Sequence, residues 1–263
     1  MNAAVWVRTL ARLTPVVFGA SALSVAGLFL FRAVIPLDDL QGSTDAVGNY
    51  LQTVGGIYAV LLAFVVYVVW AQFNEARGHV AREATELVDL FRTSAYLPGA
   101  ARVAVQTGLF EYVRAVIEDE WPALARNDEA VVERVGHQLE AVWDAIHIDD
   151  PDGACQVAVY TQMIAMFNEL TDIRTSRLTS ARSRVPIAMK ILLYSGAVLT
   201  VASMYFLAFN AVWLHATVTA ALAGAIAHIL FLIQDLDDPF AGDWSVAPRP
   251  FERARRAFER RRE

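Results

Sequence analysis

Four residues in the middle of the chain are of the types from which a metal site is built: His137, His147, Asp149 and Asp150. A divalent ion needs three or four ligands converging on one point. The two histidines are ten positions apart, which does not stack them on one short helix face, and no third ligand is placed. Surface or capping roles account for all four, so no metal is expected. Serines, histidines and acids are present, but no GxSxG nucleophile elbow frames them and no glycine-rich loop would cradle a phosphate. Cys155 is the sole cysteine, which excludes a disulfide framework, a cysteine zinc centre and a CxxC redox pair. Neither an enzyme nor a cofactor is expected.

Polar groups within long apolar runs are the better candidates, since such residues are costly in lipid and tend to have work to do. His228 lies about two-thirds of the way through one apolar run and is either a packed histidine or a proton or ligand sensor. His215, nearer the start of that run, is expected at the outer interface. Thr217 and Thr219 share the run, and an earlier one holds Gln52, Thr53, Tyr58 and Tyr67 with Gly55 and Gly56. Helix packing explains small and hydroxyl-bearing residues as readily as a pore-facing role does. Gly56, Val60 and Phe64 recur at i, i+4, i+8 and so share a face. That stripe is ordinary core unless the helix lines a central hole, where it makes an apolar constriction. Arg32, at the end of the first run, either snorkels to the headgroups or attracts anions at a vestibule.

The elements that would position these residues are membrane helices. Hydrophobic residues are 56% of the 263-residue chain and charged ones 19%, against about 45–50% and about 25% in a soluble domain. Mean hydropathy is +0.38. A bilayer core needs about 20 apolar residues of helix. Spans are predicted over about 13–35 and 51–73, with two more sharing 190–234 and a turn at Asn210 to His215. No stretch alternates like a barrel strand, so the spans are helical. The first run continues through Phe31, longer than a signal-peptide core, and is read as a retained span.

Arginine sets the orientation. Arg8 and Arg12 precede the first span, Arg77 and Arg82 follow the second, Arg182, Arg184 and Lys190 lead into the third, and seven arginines follow the fourth. The loop between the first two spans carries Asp38, Asp39 and Asp45 and no base. Basic residues mark the cytoplasmic side, so both termini and the middle segment are expected there, in an inner (plasma) membrane. A net charge of −6 argues against nucleic acid as a partner. The organisation is thus a membrane hairpin over 1–74, a helical cytoplasmic region over 75–189, a second hairpin over 190–234, and an acidic turn with a basic tail over 235–263. Four helices are predicted in the middle region: one continuing from the second span to about Tyr96, one from about Ala100 to Glu120 stopped by Trp121-Pro122, one from about Asp128 to Ile146, and one from about Ala154 to Arg184. Asp149 to Gly153 reads as a turn. The arginine-rich tail helix would sit beside anionic headgroups.

The stretch Leu61-Leu62-Ala63-Phe64 followed by Phe73-Asn74-Glu75-Ala76-Arg77 resembles the inner end of the second span in bestrophins. Asp237-Asp238-Pro239-Phe240-Ala241-Gly242-Asp243 resembles their Asn-Pro-Phe-Gly-acidic segment. With Glu120-Trp121-Pro122, the whole plan is similar to the bestrophin-like family of bacterial four-span proteins. The resemblance implies an all-α homo-oligomer, a pentamer by analogy, whose second span lines a pore for small inorganic anions. Carried over by motif, the neck positions are Gly56, Val60 and Phe64, of which Phe64 alone has the expected bulk, with Tyr67 further along the same helix. Calcium-gated members have a run of acids after this segment; here only Asp243 follows directly, so no calcium clasp is implied. The rival readings are a non-conducting scaffold or signalling protein whose cytoplasmic helices bind a partner, and a pore opened by a regulator.

Overall fold

The computed structural model describes residues 3–36, 40, 44–146 and 153–262, and among these every regular element is helical. The helices are α1 (Ala3–Val34), α2 (Thr44–Thr93), α3 (Gly99–Ala115), α4 (Trp121–Arg126), α5 (Glu129–Ile146), α6 (Gly153–Arg182), α7 (Ile187–Tyr205), α8 (Val212–Leu236) and α9 (Arg249–Arg262). A short 3₁₀ turn, Ser94–Tyr96, extends α2, and Val116–Glu120 form a π turn between α3 and α4. The chain divides into a unit of Met1–Ala71 with Arg184–Asp237 and a unit of Gln72–Ser183 with Asp238–Glu263.

The first unit holds apolar windows of membrane-spanning length in four helical stretches, within Trp6–Val34, Thr44–Tyr96, Gly153–Tyr205 and Val212–Leu236. The third is interrupted where α6 ends, and Pro186 caps α7 with extended backbone (ψ 143°). Proline without an N–H suits the start of a helix, where that donor has no partner to lose. Phe18, Leu23, Ile57, Tyr67 and Val198 all face outward. Apolar side chains in such numbers on an outer surface fit lipid or another subunit, not water.

Small residues set how close these helices come. α1 packs along α8, where Ser21 Oγ donates to the Ala220 carbonyl at 3.0 Å. A Cβ on Gly224 would lie 2.9 Å from that hydroxyl and 3.3 Å from the Val17 side chain, so a larger residue would require Ser21 to turn away and give up the bond. Likewise a Cβ on Gly196 of α7 would meet the Tyr58 ring of α2 at 2.6 Å, and the Tyr58 hydroxyl donates to the Leu193 carbonyl at 2.9 Å. At the other boundary of the unit, Asp237 accepts from the Val185 backbone N–H at 2.6 Å and holds the Lys190 ammonium at 2.7 Å. That carboxylate thereby ties the end of α8 to the entry of α7.

The second unit is a helical bundle with heptad-like seams. In α2 the buried positions run Ala76, Val80, Glu83, Leu87, Leu90; in α6 they run Met163, Phe167, Leu170, Arg174, Arg177, Ala181. The 3–4 alternation is the spacing of one packed helix face. Asp128 caps α5, its Oδ1 accepting from the Val131 N–H at 3.4 Å, and Asn127 before it takes the left-handed conformation that ends α4. Residues after 237 pack inside this unit. Phe251 and Phe258 of α9 are fully buried, Phe258 stacks on Phe91 at 4.2 Å, and Trp121 Nε1 donates to the Val246 carbonyl at 3.1 Å.

Two expectations need correction. Trp121-Pro122 does not stop the second helix of the middle region. The Trp121 N–H bonds back to the Val116 carbonyl across the widened turn, and Pro122 lies in the first turn of α4. A π turn absorbs the donor that proline lacks, so the chain bends and stays helical. The break between the last two spans falls at Phe206 to Ala211, earlier than predicted, because Trp213, Leu214 and His215 are already in α8. His215, in the first turn of α8, is fully buried among its neighbours.

Candidate functional site

α2 carries the predicted stripe. Gly56, Val60, Phe64 and Tyr67 all lie on the side of the helix that its own chain leaves uncovered; Val60 is 72% exposed, Phe64 55% and Tyr67 69%. The opposite side, Tyr58, Leu62, Val65 and Val69, is buried. At 100° per residue the four candidates fall within one narrow sector, so a single face of α2 presents a glycine, a valine, a phenylalanine and a tyrosine in a row. Gln52 and Thr53 are exposed one turn before it, with the Thr53 hydroxyl turned back to the Asn49 carbonyl at 3.0 Å. A threonine so engaged presents little to a ligand.

Arg32 is anchored. Its Nη2 donates to the Phe209 carbonyl at 2.7 Å and lies 3.0 Å from His215 Nδ1. Arginine has no acceptor, so Nδ1 must accept the hydrogen bond that Arg32 Nη2 donates, which puts the ring's own proton on Nε2. Nε2 lies 2.8 Å from the Met204 carbonyl, to which it donates. The Phe209 ring stacks on the imidazole at 4.7 Å. A neutral histidine thus bridges the arginine at the end of α1 to the turn between α7 and α8. The partnership was legible only in part: an arginine at the end of one apolar run and a histidine at the start of another announce polar groups, and only folding reveals that they meet.

His228 is exposed on the outside of the single chain and is not joined to Arg32 or to the stripe. Thr217 bonds within its own helix, to the Trp213 carbonyl, and Thr219 is buried. His137 is also exposed, its Nδ1 2.9 Å from Glu140, and that carboxylate holds the imidazolium above the usual histidine range, first through the hydrogen bond and then through its charge. His147, Asp149 and Asp150, the Asp149–Asp152 part of the turn, and Asp38 and Asp39 lie outside the described residues. Among the described residues no group of three metal-ligating side chains converges.

The second unit contains a charge cluster that sequence reasoning missed. Arg177 is fully buried; its Nε donates to Glu83 Oε2 at 2.6 Å, and its Nη2 reaches Glu83 Oε1 at 3.2 Å and Glu120 Oε1 at 2.7 Å. Arg174 Nη1 lies 2.7 Å from Glu120 Oε2 and 3.1 Å from the Tyr112 hydroxyl, which itself donates to Glu83 at 2.7 Å. Two carboxylates and two guanidiniums balance in charge where an unpaired ion would be prohibitive. Burial works against the Arg177 cation, but Glu120 and Glu83 outweigh it and hold it charged well above the ordinary arginine range. The same guanidinium lies over the Trp121 and Phe251 rings at 5.7 and 5.6 Å, so the cluster also seats α9. The signal was present: Glu83, Arg174 and Arg177 occupy core positions of otherwise apolar heptads.

The family model for the bestrophin-like domain matches residues 18–251. The chain belongs to the bestrophin-like family. Its fold is similar to the crystal structure of a bacterial bestrophin homolog from Klebsiella pneumoniae, with a TM-score of 0.67 at 16% identity over 91% of this chain and 96% of that one. Two point variants of such a Klebsiella pneumoniae homolog give TM-scores of 0.68 and 0.69 at 17% and 16% identity, each over 92% of this chain and 99% and 97% of theirs. None of the curated proteins matches the sequence. At these identities the likeness carries the fold, and the expected architecture stands: an all-α, bestrophin-like, multi-pass protein with four apolar helices long enough to cross a bilayer.

Proposed function

We propose that this bestrophin-like chain is one subunit of an oligomeric ion channel, with α2 lining the pore and Phe64 its narrowest bulky position. The observation that carries the reading is the stripe Gly56, Val60, Phe64 and Tyr67, which the chain's own helices leave uncovered while they bury the other side of the same helix. A helix buried on one face and bare on the other is what a central pathway requires of every subunit around it. Anions as the permeant species, five subunits, an inner-membrane location and cytoplasmic termini follow from the family resemblance and the arginine distribution. The anchoring of Arg32 to Phe209 and His215 favours a bracing role for it over a free anion lure.

Two measurements test this. Purified protein reconstituted into liposomes should pass chloride or iodide; silence beside a conducting control rejects the channel. In a conducting protein, Phe64→Ala should raise single-channel conductance without changing the assembly, and an unaltered current removes Phe64 from the pathway.

A further inference from the structure

Tyr58 sits behind the exposed stripe of α2. At 100° per residue it lies half a turn around the helix from Tyr67 and about 160° from both Gly56 and Val60, so it points away from the uncovered face. Its ring is buried against Gly196 of α7, so close that a Cβ on that glycine would stand 2.6 Å from the ring's Cδ2 and Cε2 and 3.6 Å from its Cγ. The hydroxyl donates to the Leu193 carbonyl at 2.9 Å and fixes the ring in that place. The separation of α2 and α7 at this level is therefore set by one ring against bare backbone.

Whatever moves Tyr58 moves the stripe. From Ile57 to Tyr67 α2 contains neither glycine nor proline, so the segment bearing Val60 and Phe64 is a stiff rod, with Phe64 about 9 Å along the axis from Tyr58. α7 is the fixed side of the contact, being tied at both ends. Lys190 holds Asp237 at 2.7 Å near its start. Near its finish the Tyr205 hydroxyl donates to the Ser24 carbonyl at 2.8 Å, and the Phe31 ring meets Phe206 edge-on at 4.8 Å. The stripe side of α2 carries no such tie, since Val60, Phe64 and Tyr67 are all exposed. A strain at the contact thus displaces α2 toward its open side.

We propose that Tyr58 and Gly196 are positioning residues for conduction: the ring against the glycine sets how far α2 stands forward, and with it the width of the pathway at Val60 and Phe64. This rests on the channel reading above and deepens it by naming what fixes the bore. Carbon atoms in contact stand about 3.5–4.0 Å apart, so the Cβ of Gly196→Ala has to push the ring away by about 1 Å. Repeated in every subunit of a ring, that narrows the pathway by about 2 Å in diameter, a large change for an apolar constriction. Shortening Tyr58 has the opposite sign, because α2 can then settle back toward α7.

The test is single-channel recording of the full chain in planar bilayers bathed in potassium chloride. Gly196→Ala should lower the conductance by about twofold or more, and Tyr58→Val should raise it by a similar factor. In the double variant the valine stops at its γ carbons, the level at which the tyrosine ring is already 3.6 Å clear of the added Cβ, and conductance should return toward wild type. Both single changes disturb packing, so a purely structural role lowers the melting temperature of each and gives their conductances no opposite signs. Size-exclusion chromatography in detergent checks that each variant assembles as the wild type does; should one single variant not assemble, the sign of the other decides. Conductances equal to that of a conducting wild type, or moving in the same direction, overturn the positioning role and leave the channel reading standing. A wild type that is silent beside a conducting control overturns both.

Discussion

Replacing Arg177 with methionine tests whether the buried charge cluster is the keystone of the second unit. Methionine keeps much of the volume but removes the cation that contacts Glu83 at 2.6 and 3.2 Å and Glu120 at 2.7 Å. Both carboxylates are fully buried, and Arg174 alone would remain to balance them. Stranding one partner of a buried ion pair costs about 3–5 kcal/mol. In a unit of this size that corresponds to a fall in unfolding temperature of roughly 10 °C. The loss should spread to α9, since the Arg177 guanidinium also lies over Trp121 and Phe251. Thermal melts of the whole protein in detergent, followed by circular dichroism, read the first effect; limited proteolysis around residue 249 reads the second. Replacing the entire set, Arg174→Met and Arg177→Met with Glu83→Gln and Glu120→Gln, should recover much of the stability, because a neutral core avoids the desolvation that made the ions expensive. A melt of Arg177→Met within about 2 °C of wild type, or a fully neutralised set no more stable than the single variant, refutes the argument.

Burial and the adjacent Glu83 carboxylate hold the Tyr112 hydroxyl protonated well above the ordinary tyrosine range. Its folded form therefore keeps a proton that the unfolded chain releases near 10.0, so stability present below that pH should fall as pH rises beyond it, and Tyr112→Phe should flatten that alkaline decline in melts taken across the range. Gly196→Ala would drive a Cβ to 2.6 Å from the Tyr58 ring and should cost about 1–3 kcal/mol of stability, read as a lower melting temperature of the detergent-solubilised protein. His215→Ala should cost a similar amount, about 1–3 kcal/mol, by orphaning the Met204 carbonyl and the Arg32 donor, and His215→Asn, which retains one acceptor and one donor, should restore part of it in the same assay.

The residues differ in how far their roles could be read before folding. Membrane-length helices were legible because lipid demands long uncharged runs whatever the neighbours are, and the runs around Leu23, Val65, Val198 and Ile226 satisfy that demand locally. The face shared by Gly56, Val60, Phe64 and Tyr67 was legible for the same kind of reason, since helical periodicity is a property of one segment. Whether such a face is core or surface is decided by what packs on the rest of the helix, and that needed Tyr58 against Gly196 and Leu193. Pro122 misled because the remedy for a missing N–H, a π turn beginning six residues earlier, has no strong local signature.

Pairing lay furthest from the sequence. Arg32 and His215 are 183 positions apart, and Arg177 and Glu83 are 94 apart. Each was visible as a polar residue at an apolar position, which states a need for a partner without saying who supplies it. Short-range rules follow the chain and could specify the helices, their caps and their stripes; the charge partners were chosen by helix packing, because a buried ion is tolerable only next to its counterion, and that adjacency exists only in three dimensions.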